Sequence, residues 1–369
     1  MKKYKIAIIG ANDFQNQLIL KAKSLGIETH VFAWECGDVG EKEADFFYPI
    51  SIVEKELILQ KCQEIGIDGI CSIASDLAVV TVNYVSEKMG LNGNSTASTG
   101  ICTNKFQMRK AFKDAGVLTP AFLRVNSADE IDIAKISFPL IVKPTDRSGS
   151  RAITKIYEPA ELPDAISSAV EASFEKQAIV EEFIDGHEYS CECISYRGEH
   201  KFLAFTKKFT TGEPHFIETG HREPSDIPEQ LQNAIIKEIF KALTSLKIEN
   251  GASHSEFKIK DDGTIGIIEI GARMGGDCIG SDLVMLSTGY DFLKMVLDVA
   301  LDKAPDFTKV CQPMDAEIRF LFTQNDLDVL KQVQEDKSVS IHRISDINLE
   351  NLGKITDSSN RIGYYILKK

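Results

Sequence analysis

The sequence has no long hydrophobic run and no excess of positive charge. No stretch approaches the roughly 18 apolar residues that a membrane-spanning helix needs, and the apolar run at residues 6–9 is too short for a signal peptide. With 55 acidic against 42 basic residues, the net charge is -13, which disfavours a nucleic-acid or anionic-membrane surface. We therefore expect a cytoplasmic protein without nucleic-acid or membrane partners.

Two common motifs are also missing. None of the eight cysteines forms a C-x-x-C pair, so a zinc or thioredoxin-like site is disfavoured and reduced thiols are expected. The first strand-to-helix turn, Gly10-Ala-Asn-Asp-Phe-Gln15, lacks the pattern G-x-G-x-x-G. This absence disfavours a dinucleotide-binding dehydrogenase.

The first hundred residues alternate apolar strand-like runs with amphipathic segments, which predicts a parallel βαβ domain. The whole chain has 369 residues, of which 43% are hydrophobic and 26% charged, so two to four globular domains are expected. The predicted strands are residues 5–10, 28–33 and 69–73, with a further short strand entered from residues 47–49, and the predicted helices are 17–25, 53–65 and 79–89. Residues 91–103 are rich in Gly, Asn, Ser and Thr and are predicted to be a connection between domains.

The remainder of the chain shows strands in closer succession. Strands are predicted at residues 121–125, 140–144, 152–157, 178–183, 188–196, 251–258 and 266–270, with helices at 104–116, 162–174, 230–246 and 291–301. After Pro305 the sequence predicts short strands and turns.

One lysine, Lys143, occupies a position that suits phosphate binding. Lys143 ends the apolar run Phe138-Pro-Leu-Ile-Val-Lys, where its ammonium needs a partner or water. The following loop holds Ser148, Gly149 and Ser150, whose backbone N–H groups can cradle phosphate oxygens. Lys105 lies on the preceding predicted helix. The alternatives are a solvated surface lysine and an ordinary hairpin turn.

A second segment, residues 178–188, runs from an apolar strand through paired acids and a Gly turn into another strand. Such a connection can place backbone N–H and C=O groups along an adenine edge, and Glu188 can accept hydrogen bonds from ribose hydroxyls. The alternative is a β-connection with solvated acids.

Two glutamates indicate a metal site. Glu256 and Glu269 each occupy a short apolar strand, and a turn at Asp262-Gly263 can pair these strands and bring the carboxylates together. Adjacent carboxylates repel unless a cation or proton relieves them, and Mg²⁺ binds through one or two carboxylates plus phosphate oxygens. Arg273 follows at a spacing that could hold a phosphate or carboxylate.

In this order, the motifs resemble those of the ATP-grasp superfamily, over residues 1 to about 300. The resemblance is to biotin-carboxylase-like members and, around residues 254–277, to bacterial L-amino acid ligases. It implies an α/β and α+β fold. Residues 1–100 would form the N-terminal parallel domain and 101–300 the ATP-grasp region, with a lid at about 119–180. Residues 301–369 would be a C-terminal extension packed on that region.

The resemblance also implies roles for individual residues. Lys105 and Lys143 correspond to the lysines that contact ATP phosphates, and residues 148–150 to the loop over them. Glu181, Phe183 and Ile184 correspond to the adenine hinge, the last two through their backbone, and Glu188 to the ribose-binding acid. Glu256 and Glu269 correspond to the Mg²⁺ ligands, with Mn²⁺ as an alternative ion, and Arg273 to the arginine that steadies an acyl phosphate. The family often has Asn where this chain has Gly271, so a third side-chain ligand is missing.

The function implied is an ATP-dependent ligase that converts a carboxylate into an acyl phosphate and joins it to an amine. A dipeptide-forming L-amino acid ligase is one interpretation. The alternatives are a bicarbonate-activating enzyme of the purine or biotin-carboxylase type and an inactive nucleotide-binding scaffold. His254 and His221 are candidates for the general base, and homodimers are common in the resembled group.

Overall fold

The computed structural model describes residues 3–132, 135–147, 149, 151–213 and 216–369. Its strands form three separate sheets. In chain order they are β1 Lys5–Ile9, β2 Glu28–Phe32, β3 Phe46–Tyr48, β4 Gly69–Cys71, β5 Phe122–Val125, β6 Leu140–Pro144, β7 Thr154–Ile156, β8 Ala178–Glu182, β9 His187–Tyr196, β10 Glu199–Thr210, β11 Glu218–Glu223, β12 Gly251–Ile259, β13 Ile265–Gly271, β14 Ala316–Leu321, β15 Ser340–Ile344 and β16 Gly363–Lys368.

The α-helices lie between and around these strands. They are α1 Asp13–Ser24, α2 Val39–Glu43, α3 Lys55–Ile65, α4 Asp76–Met89, α5 Thr96–Cys102, α6 Lys105–Asp114, α7 Leu162–Ala172, α8 Glu229–Ser245, α9 Val284–Thr288, α10 Phe292–Ala300 and α11 Gln324–Glu335. None of the helices in these ranges is long and apolar enough to cross a membrane.

The N-terminal sheet is parallel, as predicted, with the order β3-β2-β1-β4. Its central strand β1 is buried along almost its whole length, because helices cover both faces of such a sheet. The side chain of Asn12 caps the start of α1, and that of Ser75 caps the start of α4. The cap at Ser75 fixes the start of α4, and Ser75 and Asp76 at this start line a cavity between the sheets.

The second sheet has four antiparallel strands in the order β5-β8-β6-β7, and we call it the lid sheet. Helix α7 packs on one of its faces through Leu162, Ile166 and Ala169, which belong to a core separate from the rest of the protein. The lid sheet therefore has its own hydrophobic support.

The third sheet, the central sheet, has eight strands in the order β13-β12-β9-β10-β11-β14-β16-β15. Helix α10 is buried on nearly all sides, because it packs between this sheet and the N-terminal sheet in one shared core. The combination of a parallel N-terminal sheet, a small lid sheet and a large antiparallel sheet confirms the predicted fold class.

Two local predictions were wrong. The connection predicted at residues 91–103 contains helix α5, whose start is capped by the side chain of Ser95. The tail predicted to hold only short strands and turns contains helix α11, which begins at a capping box formed by Thr323 and Asp326. The strands of this tail, β14, β15 and β16, extend the central sheet, so the tail shares that sheet with the glutamates at positions 256 and 269.

Candidate active site

A cavity of about 480 Å³ lies where the three sheets meet. The N-terminal domain contributes the start of α4, the lid sheet contributes β6 and β8, and the central sheet contributes β12 and β13. The cavity brings together the described residues predicted for the site: Lys105, Lys143, Gly149, Glu181, Phe183, Ile184, Glu188, His254, Glu256, Glu269 and Arg273. Ser148 and Ser150 lie outside the described residues.

The lid side of the cavity is held by a buried ion network. Lys143 contacts the carboxylate of Glu181, which also accepts from Arg109 Nε at 2.8 Å. Arg109 in turn donates to two backbone carbonyls of β13, at positions 267 and 268. Burial opposes ionisation of Glu181, but the two cations lower its pKa to about 2, so its charge persists at neutral pH.

Arg109 was not among the predicted site residues, although it is only 2% exposed. The available signal was its spacing: Lys105 and Arg109 are four residues apart on α6 and therefore share one face of the helix. Met108 and Phe112 of the same helix are buried as well. A cationic pair on a buried face needs anionic partners, and Glu181 and Glu269 supply them.

The hinge after β8 offers fewer free backbone groups than predicted. The N–H of Phe183 donates to the carbonyl of Pro139 at 2.9 Å, so this N–H is already used within the protein. Cations flank the Phe183 ring, with Lys155 Nζ 3.7 Å and Lys258 Nζ 4.5 Å from its centroid. This arrangement fixes the ring at the edge of the cavity.

Glu256 and Glu269 lie directly opposite each other in the register of β12 and β13, which confirms that the strands pair through the Asp262-Gly263 turn. Their side chains are 27% and 29% exposed, so both carboxylates remain accessible from the cavity. Lys105 Nζ lies 3.0 Å from Glu269 and 2.8 Å from the carbonyl of Arg147. Paired, accessible carboxylates beside two lysines fit a hard divalent cation and a phosphate chain.

Lys208 of β10 is a second residue that the sequence reasoning missed. Its ammonium lies 2.6 Å from Glu256, 3.1 Å from Glu188 and 3.6 Å from Glu218. Burial disfavours its charge, but these carboxylates outweigh burial and raise the pKa of Lys208 well above its ordinary value. Because neighbouring strand residues face opposite sides, the pair Lys207-Lys208 had to place one lysine inward.

His254 is an unsuitable base in this state of the protein. Its Nδ1 contacts buried Glu192, and its Nε2 lies 3.3 Å from Glu256. Burial opposes protonation, yet the two carboxylates raise the pKa of His254 to about 9. The ring therefore holds its proton at neutral pH, which argues against the predicted role of His254 as general base.

Arg273 is anchored by the N-terminal domain. Its Nε and Nη2 donate to the two carboxylate oxygens of Asp76 at 2.9 and 3.2 Å. A Cβ atom at Gly271 would approach Asp76 Oδ1 to 3.0 Å and the Arg273 guanidinium to 3.2 Å. Gly271 therefore leaves room for this ion pair, at the position where the resembled family often has asparagine.

The far end of the cavity is formed by His221, Asp277 and Arg361. His221 Nε2 lies 3.4 Å from Asp277 Oδ2, and Arg361 donates to both oxygens of Asp277 at 2.7 and 2.9 Å. Burial lowers the pKa of His221 despite Asp277, so the ring is neutral at pH 7. With Nε2 as the donor to Asp277, Nδ1 is left as a proton acceptor.

Residues 136–282 match the sequence profile of the ATP-grasp domain. Among curated proteins, the chain is 28% identical over 326 residues to alanine–anticapsin ligase of Bacillus subtilis, covering 81% of this chain and 65% of that protein. It is 28% identical over 277 residues to D-alanine–D-alanine ligase of Flavobacterium johnsoniae, covering 70% of this chain and 82% of that enzyme. The chain spans 61% to 65% of the length of the first curated proteins that it matches.

The solved structures agree on the fold. An L-amino acid ligase from Bacillus licheniformis superimposes with a TM-score of 0.82 at 24% identity, covering 100% of this chain and 94% of that one. At this level of identity, the likeness supports the fold, whereas the reaction has to be argued from the site.

Proposed function

We propose that this protein is an ATP- and Mg²⁺-dependent carboxylate–amine ligase. The observation that carries the proposal is the arrangement in one cavity of Lys105 and Lys143, the opposed carboxylates of Glu256 and Glu269, and Arg273. These groups match the charges of a nucleoside triphosphate and of an acyl phosphate formed beside it.

The proposed first step forms an acyl phosphate. An oxygen of the substrate carboxylate attacks the γ-phosphorus of ATP, the bond to the β-phosphate bridging oxygen breaks, and ADP leaves. Lys105 and Lys143 would hold the phosphates, and Arg273 would steady the new acyl phosphate. When bound at Glu256 and Glu269, Mg²⁺ would supply further neutralisation of phosphate charge.

In the proposed second step, the amine nitrogen attacks the acyl carbon, the C–N bond forms, and inorganic phosphate leaves. The nitrogen must lose a proton. We propose His221 as the acceptor, because this ring lines the cavity beside Asp277 and burial lowers its pKa. His254 lacks this capacity because it already carries its proton.

For the substrates, we propose that the acid is an L-amino acid and that the product is a dipeptide. The support is the sequence similarity to alanine–anticapsin ligase and D-alanine–D-alanine ligase, together with the polar, charged lining at the His221 end of the cavity. An amino-acid donor would place its carboxylate toward Arg273.

The test is a phosphate-release screen with ATP and Mg²⁺ over pairs of L-amino acids, D-alanine, bicarbonate and small carboxylic acids. We expect release that depends on amino acids, with ADP and dipeptide formed in equal amounts. Release that depends on bicarbonate alone would assign the protein to the carboxylating class instead. Nucleotide binding without turnover on any substrate would indicate a scaffold.

A further inference from the structure

The segment from Gly276 to Leu283, which we call the turn segment, helps to form the far end of the cavity. Three of its residues, Gly276, Asp277 and Ile279, line the cavity. Arg273, which is proposed to steady the acyl phosphate, lies just before the turn segment in the sequence and also lines the cavity. An acyl group held at Arg273 would therefore have the turn segment beside it.

The backbone of the turn segment adopts a strained conformation. Asp277 and Cys278 are successive residues other than glycine with positive φ, at 54° and 61°, in the left-handed region where the Cβ atom crowds the following carbonyl oxygen. A π-helical turn, Ile279–Leu283, comes directly after them, and such turns are rare. Sparsely populated conformations persist only when the surrounding structure holds them, so the turn segment needs contacts from outside itself.

The C-terminal part of the chain supplies such contacts. Arg343, on β15, donates from Nη2 to Asp282 Oδ2 at 2.8 Å and to Cys278 Sγ at 3.0 Å. Arg361, just before β16, donates to both carboxylate oxygens of Asp277 at 2.7 and 2.9 Å. Two arginines from the tail of the chain therefore fix the position of the strained residues.

Of these two arginines, Arg343 acts on the cavity only through the turn segment. Arg361 lines the cavity, whereas Arg343 stays outside its described lining. The side chain of Arg343 is 22% exposed and that of Asp282 is 7% exposed, so water does not easily replace either partner when the other is removed. Arg343 can therefore change the shape of the cavity without touching a substrate or a nucleotide.

The order of strands in the central sheet separates Arg343 from the phosphate end of the cavity. Glu256 lies on β12 and Arg343 on β15, and β9, β10, β11, β14 and β16 stand between these two strands. A change at Arg343 should therefore leave the binding of nucleotide intact.

We propose that Arg343 is a positioning residue that determines substrate selectivity by holding the turn segment in its left-handed conformation. This inference rests on the proposed ligase function. The lining residues of the turn segment set which amino-acid side chains fit, and Arg343 sets where those residues stand. Loss of Arg343 should let the turn segment relax, so that the ligase accepts a wider range of amino acids.

The experiment is a competition among substrates in one reaction. The protein is incubated with ATP, Mg²⁺ and an equimolar mixture of the twenty L-amino acids, and the dipeptides are quantified by mass spectrometry. The ratio of any two products does not depend on how much of the protein is folded, so a merely destabilising change leaves it unaltered. In Arg343→Met the ratio of the main dipeptide to the others should fall about tenfold, because a misplacement of about 1 Å can cost about a hundredfold in rate.

Further variants assign the effect to the contact between Arg343 and the turn segment. Arg343→Lys keeps the charge beside Asp282 without the planar fork, so its product ratio should lie between those of Arg343→Met and the unmodified protein. Asp282→Asn should shift the ratio as Arg343→Met does, and combining the two changes should add little, since both remove the same contact. Arg319→Met is the matched control: this arginine pairs with Glu317 on its own strand β14, and its ratio should equal that of the unmodified protein.

The outcomes separate the two proposals. An unaltered product ratio in folded Arg343→Met, or in Arg343→Lys where the first variant does not fold, would overturn the role of Arg343 and leave the ligase function standing. A matching loss of affinity for a fluorescent ATP analogue would show general damage to the cavity and overturn it as well. Absence of dipeptides from the unmodified protein would instead overturn the ligase function on which the inference depends. Thermal unfolding of each variant verifies folding.

Discussion

Lys208 Nζ lies 2.6 Å from Glu256 Oε1, so a protein cation sits against one of the two carboxylates proposed to bind a metal ion. The same ammonium also neutralises Glu188 and Glu218. Lys208 thereby allows several carboxylates to share one wall of the cavity. The net charge around these carboxylates therefore depends on Lys208 and on any metal ion bound beside it.

Replacing Lys208 by Met should destabilise the protein and make it depend on Mg²⁺. Removing one partner of a buried ion cluster typically costs about 3–5 kcal/mol, because the three glutamates would repel one another. Mg²⁺ at Glu256 would relieve part of that repulsion, so it should raise the melting temperature of the variant more than that of the unmodified protein. Thermal unfolding in EDTA and in Mg²⁺ measures this difference.

The neighbouring Lys207→Met variant is the control, because Lys207 faces the other side of β10 and pairs with Asp226. An identical Mg²⁺ response in the Lys208 and Lys207 variants would show that Lys208 does not share Glu256 with the metal ion.

Glu269→Gln should reduce ATP turnover by at least about a hundredfold, the usual loss for one electrostatic contact at a reacting centre. The exchange is nearly isosteric but removes a negative ligand from Mg²⁺, so the fold should persist. Phosphate release measured across a Mg²⁺ titration tests this, with Glu317→Gln on β14 as the control. Unmodified activity at limiting Mg²⁺ would show that Glu269 is not a ligand.

Glu223 predicts a pH-dependent stability. Burial raises the pKa of this carboxyl group to about 8, although Thr206 and Ser287 donate hydrogen bonds to it. Between pH 4.5 and 8 the folded state keeps a proton that the unfolded state has lost. The free energy of unfolding should therefore fall as pH rises through this range, by up to about 1.4 kcal/mol per pH unit.

The Glu223→Gln variant has no such proton, so its stability should depend less on pH and should exceed that of the unmodified protein above pH 8. Chemical denaturation from pH 5 to pH 9 is the measurement. Glu199→Gln, at an exposed strand position, should change nothing. Parallel pH curves for the unmodified and Glu223→Gln proteins would contradict the assignment.

A contact between the lid sheet and the loop between β10 and β11 predicts an effect on nucleotide release. Glu213, in the loop between β10 and β11, accepts from Lys155 Nζ at 2.6 Å and from the Tyr157 hydroxyl at 2.6 Å, both on the lid side. Glu213→Gln should weaken this link and speed release of a fluorescent ATP analogue severalfold. The exposed location of Glu213 implies little change in melting temperature. The test is the release rate of the analogue, measured by stopped flow. Equal rates in the Glu213→Gln variant and the unmodified protein would show that the contact does not hold the lid sheet closed.

Much of the architecture could be predicted because it depends on short-range patterns. The alternation of strands and helices predicted the parallel N-terminal sheet, and the apolar strands around Asp262-Gly263 predicted that Glu256 and Glu269 would face each other. Capping at Ser95 and at Thr323 was overlooked, so helices α5 and α11 were missed. The roles assigned to individual site residues, the domain boundaries, the cytoplasmic location and a homodimer all remain predictions.

The sequence by itself determined the parallel and antiparallel sheets and the opposed pair of glutamates, because strand period and turn residues act over a few positions. Only the tertiary structure decided which distant charges meet. Arg109 and Glu181 are 72 residues apart, Arg361 and Asp277 are 84 apart, and Arg273 and Asp76 are 197 apart. The periodicity of the sequence predicts which face of a strand or helix a charged side chain occupies. Its ion-pair partner depends on how whole sheets pack against one another.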